Sequence, residues 1–301
     1  MIRDEHIRQW HHLAPWTHWG HVEQDLVICR AIVEIFSDSF LAQELAWRGG
    51  TALHKLYLQP QARYSEDIDL VQIHPGPIKP IVERLDKALA WLPGKRFDIR
   101  RFGFRLRFRY ESEIPPFEQM SLKVETNTYE HFAELGFVQR PFSVDSAWFS
   151  GSCSVTTFTI TELLATKFRA LYQRKKLRDL FDMDYALQKT DFDRDEMLHC
   201  WRKYMSLKDA DVPSWREFVA NMELKMSDPE YLNDMQGILR PNVSFDAHAA
   251  YRAIRLALID KLMTEKDLES VKPPLPENFS RSHNAWSLRL TADTTFSRKC
   301  E

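Results

Sequence analysis

Long stretches of the chain place apolar residues three and four positions apart, which is the spacing of an amphipathic helix. From Val22 to Leu45 this spacing predicts one or two helices. It predicts further helices over Ala52–Leu58 and Ile78–Leu92, the second of which ends at Pro93-Gly94. Helices are therefore expected to form much of the N-terminal third of the chain.

Other stretches alternate apolar and polar residues, as strands with one buried face do. The first of these is the short run Asp67–Val71. Three longer strand-like runs follow, over Phe97–Tyr110, Met120–Thr126 and, more loosely, Phe142–Phe158. The pattern therefore predicts a sheet whose strands are interleaved with the first helices.

After residue 158 the pattern becomes helical. Thr161 is expected to cap a helix that continues through Leu171. Further helical patterns lie over residues 177–188, 195–205, 214–226 and 247–263, and prolines 273, 274 and 276 indicate a loosely structured tail. We therefore predict an α+β fold, with a sheet-and-helix domain over residues 22–158, a mainly helical domain over residues 159–270 and a tail over residues 271–301.

The composition is that of a globular protein and argues against a membrane or secreted protein. The chain has 301 residues, of which 44% are hydrophobic and 28% charged, so it can bury a sizeable core without cross-links. The formal net charge of −2 excludes a polybasic coat but leaves local basic patches possible. No apolar run approaches the roughly 18 residues that span a bilayer, and the first residues lack the apolar core of a signal peptide. We expect a cytoplasmic protein with no membrane partner.

The cysteines and histidines give no metal signature. The four cysteines, Cys29, Cys153, Cys200 and Cys300, form no C-x-x-C pair and are expected to be free thiols in a reducing compartment. Four histidines lie close together near the N-terminus, at positions 11, 12, 18 and 21. Because no cysteine or carboxylate completes a ligand set there, a partly buried, aromatic-rich helical start explains this segment better than a zinc site.

Two short motifs carry the candidate chemistry. Gly49-Gly50-Thr51 precedes a predicted helix, where glycines allow close approach of a phosphate and the free N–H groups of the helix start bind anions. After fifteen intervening residues, Asp67 and Asp69 lie two apart on a predicted strand, so both carboxylates project from one face. Paired carboxylates beside a phosphate cradle suit Mg²⁺, or Mn²⁺, bound together with a nucleoside triphosphate.

A third carboxylate lies on a later predicted strand. In Ser121–Asn127, Leu122 and Val124 alternate with Lys123 and Glu125, so the lysine and the glutamate share a polar face. Glu125 is therefore a candidate third acid that activates an attacking hydroxyl, either as a base or through a metal.

These residues, taken together, resemble the DNA polymerase β-like nucleotidyltransferase superfamily. The longer strings 48–57 and 63–70 are similar to those of the AbiEii/AbiGii toxin family, nucleotidyltransferases of type IV toxin–antitoxin and abortive-infection systems. The similarity extends to Lys167 and to the run Arg178-Asp179-Leu180-Phe181-Asp182. A glutamate at position 125 replaces the aspartate that is more usual in the superfamily.

The resemblance implies metal-dependent transfer of a nucleoside monophosphate from an NTP to an RNA acceptor, with the 3′ end of tRNA expected, and a separately encoded antitoxin. It implies catalytic roles for Asp67, Asp69, Glu125 and Lys167, with the three acids as metal ligands. The nucleotide would be held by Gly49, Gly50, Thr51, Lys123, Lys167 and Arg178. Asp179 and Asp182, three apart on a helix, are expected to fix Lys167 or Arg178 by ion pairing.

A basic strand is expected on the same face as the acids. Arg101, Arg105, Arg107 and Arg109 occupy odd positions, and apolar residues, mostly aromatic, occupy the even positions between them. Same-face residues in a strand lie about 6.6–6.8 Å apart, so these arginines could follow an RNA backbone or hold a triphosphate. The alternative is that they neutralise the clustered acids.

Two other functions remain open at the level of sequence. The same chemistry could act on a protein hydroxyl or on a small molecule. Alternatively, the chain could be a non-catalytic module that regulates a partner, although the glycines and aspartates would then have no reason to occur together.

Overall fold

A seven-stranded mixed sheet forms the centre of the computed structural model, which describes residues 2–207, 211–265 and 267. The strands are β1 (Leu45–Arg48), β2 (Asp67–Gln72), β3 (Arg96–Arg100), β4 (Gly103–Glu111), β5 (Gln119–Asn127), β6 (Phe137–Asp145) and β7 (Ser150–Phe158). Their order across the sheet is β3-β4-β5-β2-β1-β7-β6. The pairs β2–β5 and β1–β7 are parallel, and the others are antiparallel.

Helices surround this sheet and form most of the C-terminal half. They are α1 (Asp4–Trp10), α2 (Trp19–Ser37), α3 (Ser39–Glu44), α4 (Gly49–Leu56), α5 (Lys79–Ala88), α6 (Ile160–Gln173), α7 (Leu177–Lys189), α8 (Arg194–Met205), α9 (Trp215–Met226), α10 (Pro229–Leu232) and α11 (Ala247–Ala257), followed by a short 3-10 helix (Ile259–Leu262). The predicted α+β class is confirmed. Residues up to Met263 form one compact unit.

One face of the sheet packs on α2 and α5. Ile68 and Leu70 of β2 are buried there, together with apolar residues of β4 and β5. Burying a side chain of this size contributes about 1.5–3 kcal/mol. Because neighbouring residues of a strand point to opposite faces, this packing turns Asp67 and Asp69 to the other side of the sheet.

The C-terminal helices pack around a second core. The rings of Phe168, Trp201 and Phe218 form its aromatic centre, with 4.7 Å between the centroids of Phe168 and Phe218. Leu53 of α4 and Val71 of β2 belong to the same core. Since Val71 points away from the α2 side, these helices lie against the face of the sheet that carries the aspartates.

Two runs that were predicted as single strands each form a hairpin of two antiparallel strands. The run Phe97–Tyr110 is interrupted by a turn at residues 101–102, so it forms β3 and β4. Gly103, with φ of +156°, follows the turn, and a Cβ there would lie 1.9 Å from the carbonyl oxygen of Thr126. The run Phe142–Phe158 likewise forms β6 and β7. In both runs the alternation of apolar and polar residues continues through the turn, so the pattern does not reveal the turn.

Two helix boundaries and one strand also differ from prediction. The N-cap of α6 is Thr159, whose hydroxyl accepts the Glu162 N–H at 3.2 Å, so Thr161 lies inside the first turn. Helix α4 begins at Gly49 rather than Ala52. Strand β1 was not predicted, because its four residues directly follow a helical pattern.

Some sequence predictions concern residues that lie outside the ranges described by the structure. The tail over residues 271–301, including Cys300, is among them. The other three cysteines are free thiols. Among the described residues, no helix is both long enough and apolar enough to cross a membrane.

Candidate active site

The three predicted acids lie on adjacent strands at one face of the sheet. Strands β2 and β5 run parallel, with Asp67 beside Lys123 and Asp69 beside Glu125. The alternation in both strands buries Ile68 and Val124 against the opposite face. The pairing therefore brings together the carboxylates that the sequence placed on one side.

Burial makes the two aspartates, Asp67 and Asp69, reluctant to ionise. It raises the pKa of Asp67 to about 6, an effect reinforced by the neighbouring charge of Asp69 and opposed by Lys123. Burial also raises the pKa of Asp69, against the attraction of Arg48 and with the repulsion of Glu125. The pair therefore lacks enough nearby positive charge to stabilise both ionised carboxylates.

Two cations contact the acids directly. The Lys123 ammonium lies 3.2 Å from a carboxylate oxygen of Asp67. Arg105 of β4, which pairs with β5 opposite Glu125, donates from Nε to the Glu125 carboxylate at 2.7 Å. Arg105 thus neutralises an acid, as one sequence-based alternative held.

Asp67 and Asp69 fit a divalent cation by their chemistry. They offer only oxygen donors, and their raised pKa values indicate uncompensated negative charge, which a hard cation would relieve. Within the described part of the chain, no three His, Cys, Asp or Glu side chains are already arranged as a metal site, the N-terminal histidines included. Arg105 bonds Oε1 of Glu125, so Glu125 could join the aspartates as a ligand through Oε2.

The Gly-Gly-Thr motif brings a helix N-terminus to the acids. Gly49 has φ of +84°, and a Cβ there would lie 2.1 Å from Oδ2 of Asp69, so only glycine fits. A Cβ on Gly50 would lie 2.5 Å from the Arg63 guanidinium. No side chain caps α4, so its first N–H groups remain available to an anion.

The Thr51 hydroxyl is engaged within the protein. It donates to the carbonyl oxygen of Asp67 at 2.6 Å and lies 2.7 Å from the Ser65 hydroxyl. Thr51 is buried, and this bond ties α4 to the start of β2. Thr51 can therefore contribute to a phosphate site with its backbone N–H, while its hydroxyl fixes the position of Asp67.

Lys167 is held in a buried network. Its ammonium lies 3.0 Å from a carboxylate oxygen of Asp182 and 3.0 Å from one of Asp179. Asp182 also accepts two bonds from Arg63, at 2.6 and 2.7 Å, and contacts Nε2 of His54 at 2.9 Å. Although burial alone would raise it, Arg63, Lys167 and His54 hold the pKa of Asp182 well below its usual range.

Asp179 forms the other half of this network. Arg174, at the C-terminal end of α6, donates to both of its oxygens at 2.6 and 2.7 Å. The expected pairing of these aspartates with Lys167 is present. Arg178 does not pair with them, and its guanidinium lies 3.9 Å from Glu66 instead.

A polar cleft of about 300 Å³ joins these parts. It is lined by Gly50, Thr51, Arg63, Ser65, Glu66, Asp67, Asp69, Arg105, Lys123, Glu125, Lys167, Arg174 and Arg178. Acids from the sheet thus face cations from the C-terminal helices across one cavity. Such an arrangement can hold a polyphosphate against a carboxylate pair.

The remaining predicted arginines lie at different distances from the cleft. Arg107 and Arg109 lie on β4 opposite Lys123 and Ser121 of β5, on the face of the acids. Arg101 lies in the turn before β4 and lines a second cavity. The predicted strand of four arginines is therefore a strand of three preceded by a turn.

Sequence reasoning missed some residues that build the site. Arg63 and His54 contact Asp182 across more than a hundred positions of sequence, and no local pattern marks either residue as a partner. Glu130 accepts bonds from Arg48 of β1 and Arg169 of α6, at 2.5 and 2.8 Å, and so ties the sheet to the helices. The two arginines hold the pKa of Glu130 at about 2, against the effect of its burial.

Comparisons with known proteins show the family of this chain. The structure is similar to MenT4, a nucleotidyltransferase toxin from Mycobacterium tuberculosis H37Rv, with a TM-score of 0.63 and 16% identity over 89% of this chain and 93% of that one. JHP933 from Helicobacter pylori matches with a TM-score of 0.46 and 18% identity over 85% of this chain and 96% of that one. No curated protein matches by sequence. The profile of the nucleotidyl transferase AbiEii toxin family of type IV toxin–antitoxin systems matches residues 30–254. The chain therefore belongs to the AbiEii nucleotidyltransferase toxin family and is a nucleotidyltransferase.

Proposed function

We propose that this enzyme transfers a nucleoside monophosphate from an NTP to the 3′ end of an RNA, with tRNA as the expected acceptor. It would act in the cytoplasm as a toxin restrained by a separately encoded antitoxin. The observation that carries the proposal is the polar cleft, in which Asp67, Asp69 and Glu125 face Lys167, Arg174 and Arg178.

The triphosphate would lie between the start of α4 and the cations of the C-terminal helices. The free N–H groups at Gly49 and Gly50 suit a phosphate oxygen. Lys167 and Arg174 line the cleft while they also bond Asp179, so their positions are set before a nucleotide arrives. Preorganised cations of this kind stabilise the charge that develops on departing pyrophosphate.

Asp67 and Asp69 are the residues we assign to the metal, with Mg²⁺ or Mn²⁺ as the ion. When bound, a divalent ion neutralises phosphate charge and polarises the bond that breaks. The raised pKa values of both aspartates support this assignment, because a cation would stabilise their ionised forms.

The reaction that fits these residues is an in-line displacement. The oxygen of the terminal ribose hydroxyl forms a bond to the α-phosphorus as the bond from that phosphorus to the bridging oxygen breaks, and pyrophosphate leaves. The hydroxyl proton passes to a carboxylate, for which Glu125 beside Asp69 is the candidate. Arg105 bonds Oε1 of Glu125, so Oε2 is the oxygen that would accept the proton.

An RNA acceptor is supported by the basic face of β4. Arg105, Arg107 and Arg109 lie on the face of the sheet that carries the acids. A row of cations leading toward a carboxylate pair suits a polyanionic acceptor more than a small molecule.

The direct test incubates the protein with each of the four labelled NTPs, Mg²⁺ or Mn²⁺, and total RNA. Label in an RNA band that is absent with Asp69→Asn supports the proposal. Label in protein would assign the same chemistry to a protein acceptor, and no label in any fraction would favour a regulatory module. Expression without a partner should arrest growth, and Asp69→Asn should relieve that arrest.

A further inference from the structure

Arg48 and Asp69 lie opposite each other in the sheet without forming an ion pair. Strands β1 and β2 are antiparallel, and Arg48 is the register partner of Asp69. Side chains directly opposite each other share one face and have Cβ atoms about 4.5–5.5 Å apart, which is within reach of an ion pair. Among the residues that the structure describes, however, no group bonds or pairs with the Asp69 carboxylate, and Arg48 bonds Glu130 instead.

Glu130 takes the Arg48 guanidinium with a carboxylate that is held from several sides. Arg48 donates to it at 2.5 Å, and Arg169 of α6 donates to both of its oxygens at 2.8 and 3.2 Å. The Glu130 side chain is only 3% exposed. Its backbone N–H donates to the side-chain oxygen of Asn127 at 2.8 Å, which fixes Glu130 to the end of β5.

This arrangement leaves the Asp69 carboxylate open to a metal ion. Arg48 and Asp69 line one cavity of about 170 Å³ beside the first turn of α4, so the two side chains face the same space. An arginine paired with Asp69 would occupy a carboxylate oxygen and place a positive charge at the site. Both effects would oppose the binding of a divalent cation.

We propose that Glu130 is a positioning residue, which holds Arg48 away from Asp69 and so keeps the acid pair available to the divalent cation. This inference rests on the proposed function, which assigns the metal to Asp67 and Asp69. Glu130 does not belong to the described residues that line the polar cleft, so it acts through Arg48 and not on the nucleotide.

The test measures Mn²⁺ binding to the free protein by electron paramagnetic resonance. Glu130→Gln keeps the shape of the side chain and removes its charge, so Arg48 should turn to Asp69. Mn²⁺ binding should then weaken by about 10- to 150-fold, the range expected when a hydrogen bond to a charged group must be displaced. Glu34→Gln, which breaks an ion pair with Arg30 on α2, is the matched control and should bind Mn²⁺ as the wild type does.

Removal of Arg48 should reverse the effect. Glu130→Gln combined with Arg48→Gln should bind Mn²⁺ within about twofold of the wild type, because the competing cation is gone. In transfer assays, Glu130→Gln should raise the Mn²⁺ concentration that gives half of the maximal rate and keep the rate at saturating Mn²⁺. A purely structural role would instead lower Tm, leave the Mn²⁺ affinity of the folded protein unchanged and give no recovery with Arg48→Gln.

Wild-type Mn²⁺ affinity in Glu130→Gln, or no recovery in the double variant, would overturn the proposal. Should Glu130→Gln fail to fold, Arg48→Gln alone carries the test, since it should bind Mn²⁺ at least as tightly as the wild type and weaker binding would overturn the role of Glu130. Undiminished Mn²⁺ binding by Asp69→Asn would refute the metal site of the proposed function. Loss of binding in Asp69→Asn with wild-type affinity in Glu130→Gln would refute the role of Glu130 alone.

Discussion

Replacing Asp67 with asparagine should stabilise the fold while abolishing nucleotidyl transfer. Asp67 is buried beside Asp69, and the structure raises its pKa from the ordinary 3.8 to about 6. The folded protein therefore holds this carboxylate ionised at neutral pH at a cost. The Asp67→Asn variant keeps the shape of the side chain and removes the charge.

The size of the effect follows from that pKa. A shift of one unit in a pKa corresponds to a free energy of about 1.4 kcal/mol. The rise in the pKa of Asp67 from 3.8 to about 6 therefore corresponds to about 3 kcal/mol of folding stability. Because the Asp67 side chain is 24% exposed and water screens it, we expect about half of this in practice. For a protein of this size, that would raise Tm by about 3–6 °C.

The effect should depend on pH in a definite direction. Between pH 3.8 and about 6 the folded protein holds a proton that the unfolded chain has released, so the wild type loses stability as the pH rises through this window. The Asp67→Asn variant has no such group. The difference in Tm should therefore be fully present at pH 8 and absent at about pH 4.

The measurement is thermal unfolding of both proteins with EDTA from about pH 4 to 8. Asp86→Asn, which removes an exposed aspartate paired with Lys95, is the matched control and should shift Tm little at any pH. Added Mg²⁺ should raise the Tm of the wild type and leave Asp67→Asn unchanged. A variant that unfolds below the wild type at pH 8 in EDTA would refute the reasoning and make Asp67 a structural residue.

Three other predictions concern the surroundings of the acids. Asp182→Ala should destabilise the fold by about 3–5 kcal/mol in denaturant titrations, because it leaves Arg63 and Lys167 buried without their partner. A loss below about 1 kcal/mol would mean that water replaces the carboxylate. Gly49→Ala should lower both Tm and transfer activity, since the new Cβ would overlap Asp69, and wild-type values for both would contradict the positive φ. Arg105→Ala combined with Arg107→Ala should lower the salt slope of RNA binding by about 1.4, and an unchanged slope would show that β4 does not track RNA.

The sequence predicted the parts of the site that follow strand alternation. Asp67, Asp69, Lys123 and Glu125 lie as their apolar neighbours indicated, because one buried face fixes the register of a strand. It did not predict the turn at residues 101–102, since the alternation continues through it. It gave Lys167 as a partner of Asp182 but not His54 of α4 or Arg63 of the following loop, because long-range ion pairs leave no local pattern.

The network around Asp182 has a consequence for synthesis of the chain on the ribosome. The three acids on the sheet, Asp67, Asp69 and Glu125, have been made once residue 125 has left the peptidyl-transferase centre. Lys167, Asp179 and Asp182 come later in the sequence. Arg63 has no carboxylate partner until Asp182 is translated and α7 folds against α4 and α6. A nascent chain that ends before α6 lacks Lys167, Arg174 and Arg178 of the cleft, and one that ends before Asp182 lacks the carboxylate that holds Arg63 and Lys167. A prematurely terminated toxin would therefore be inactive, and its potency in the cell would begin only with translation of α7.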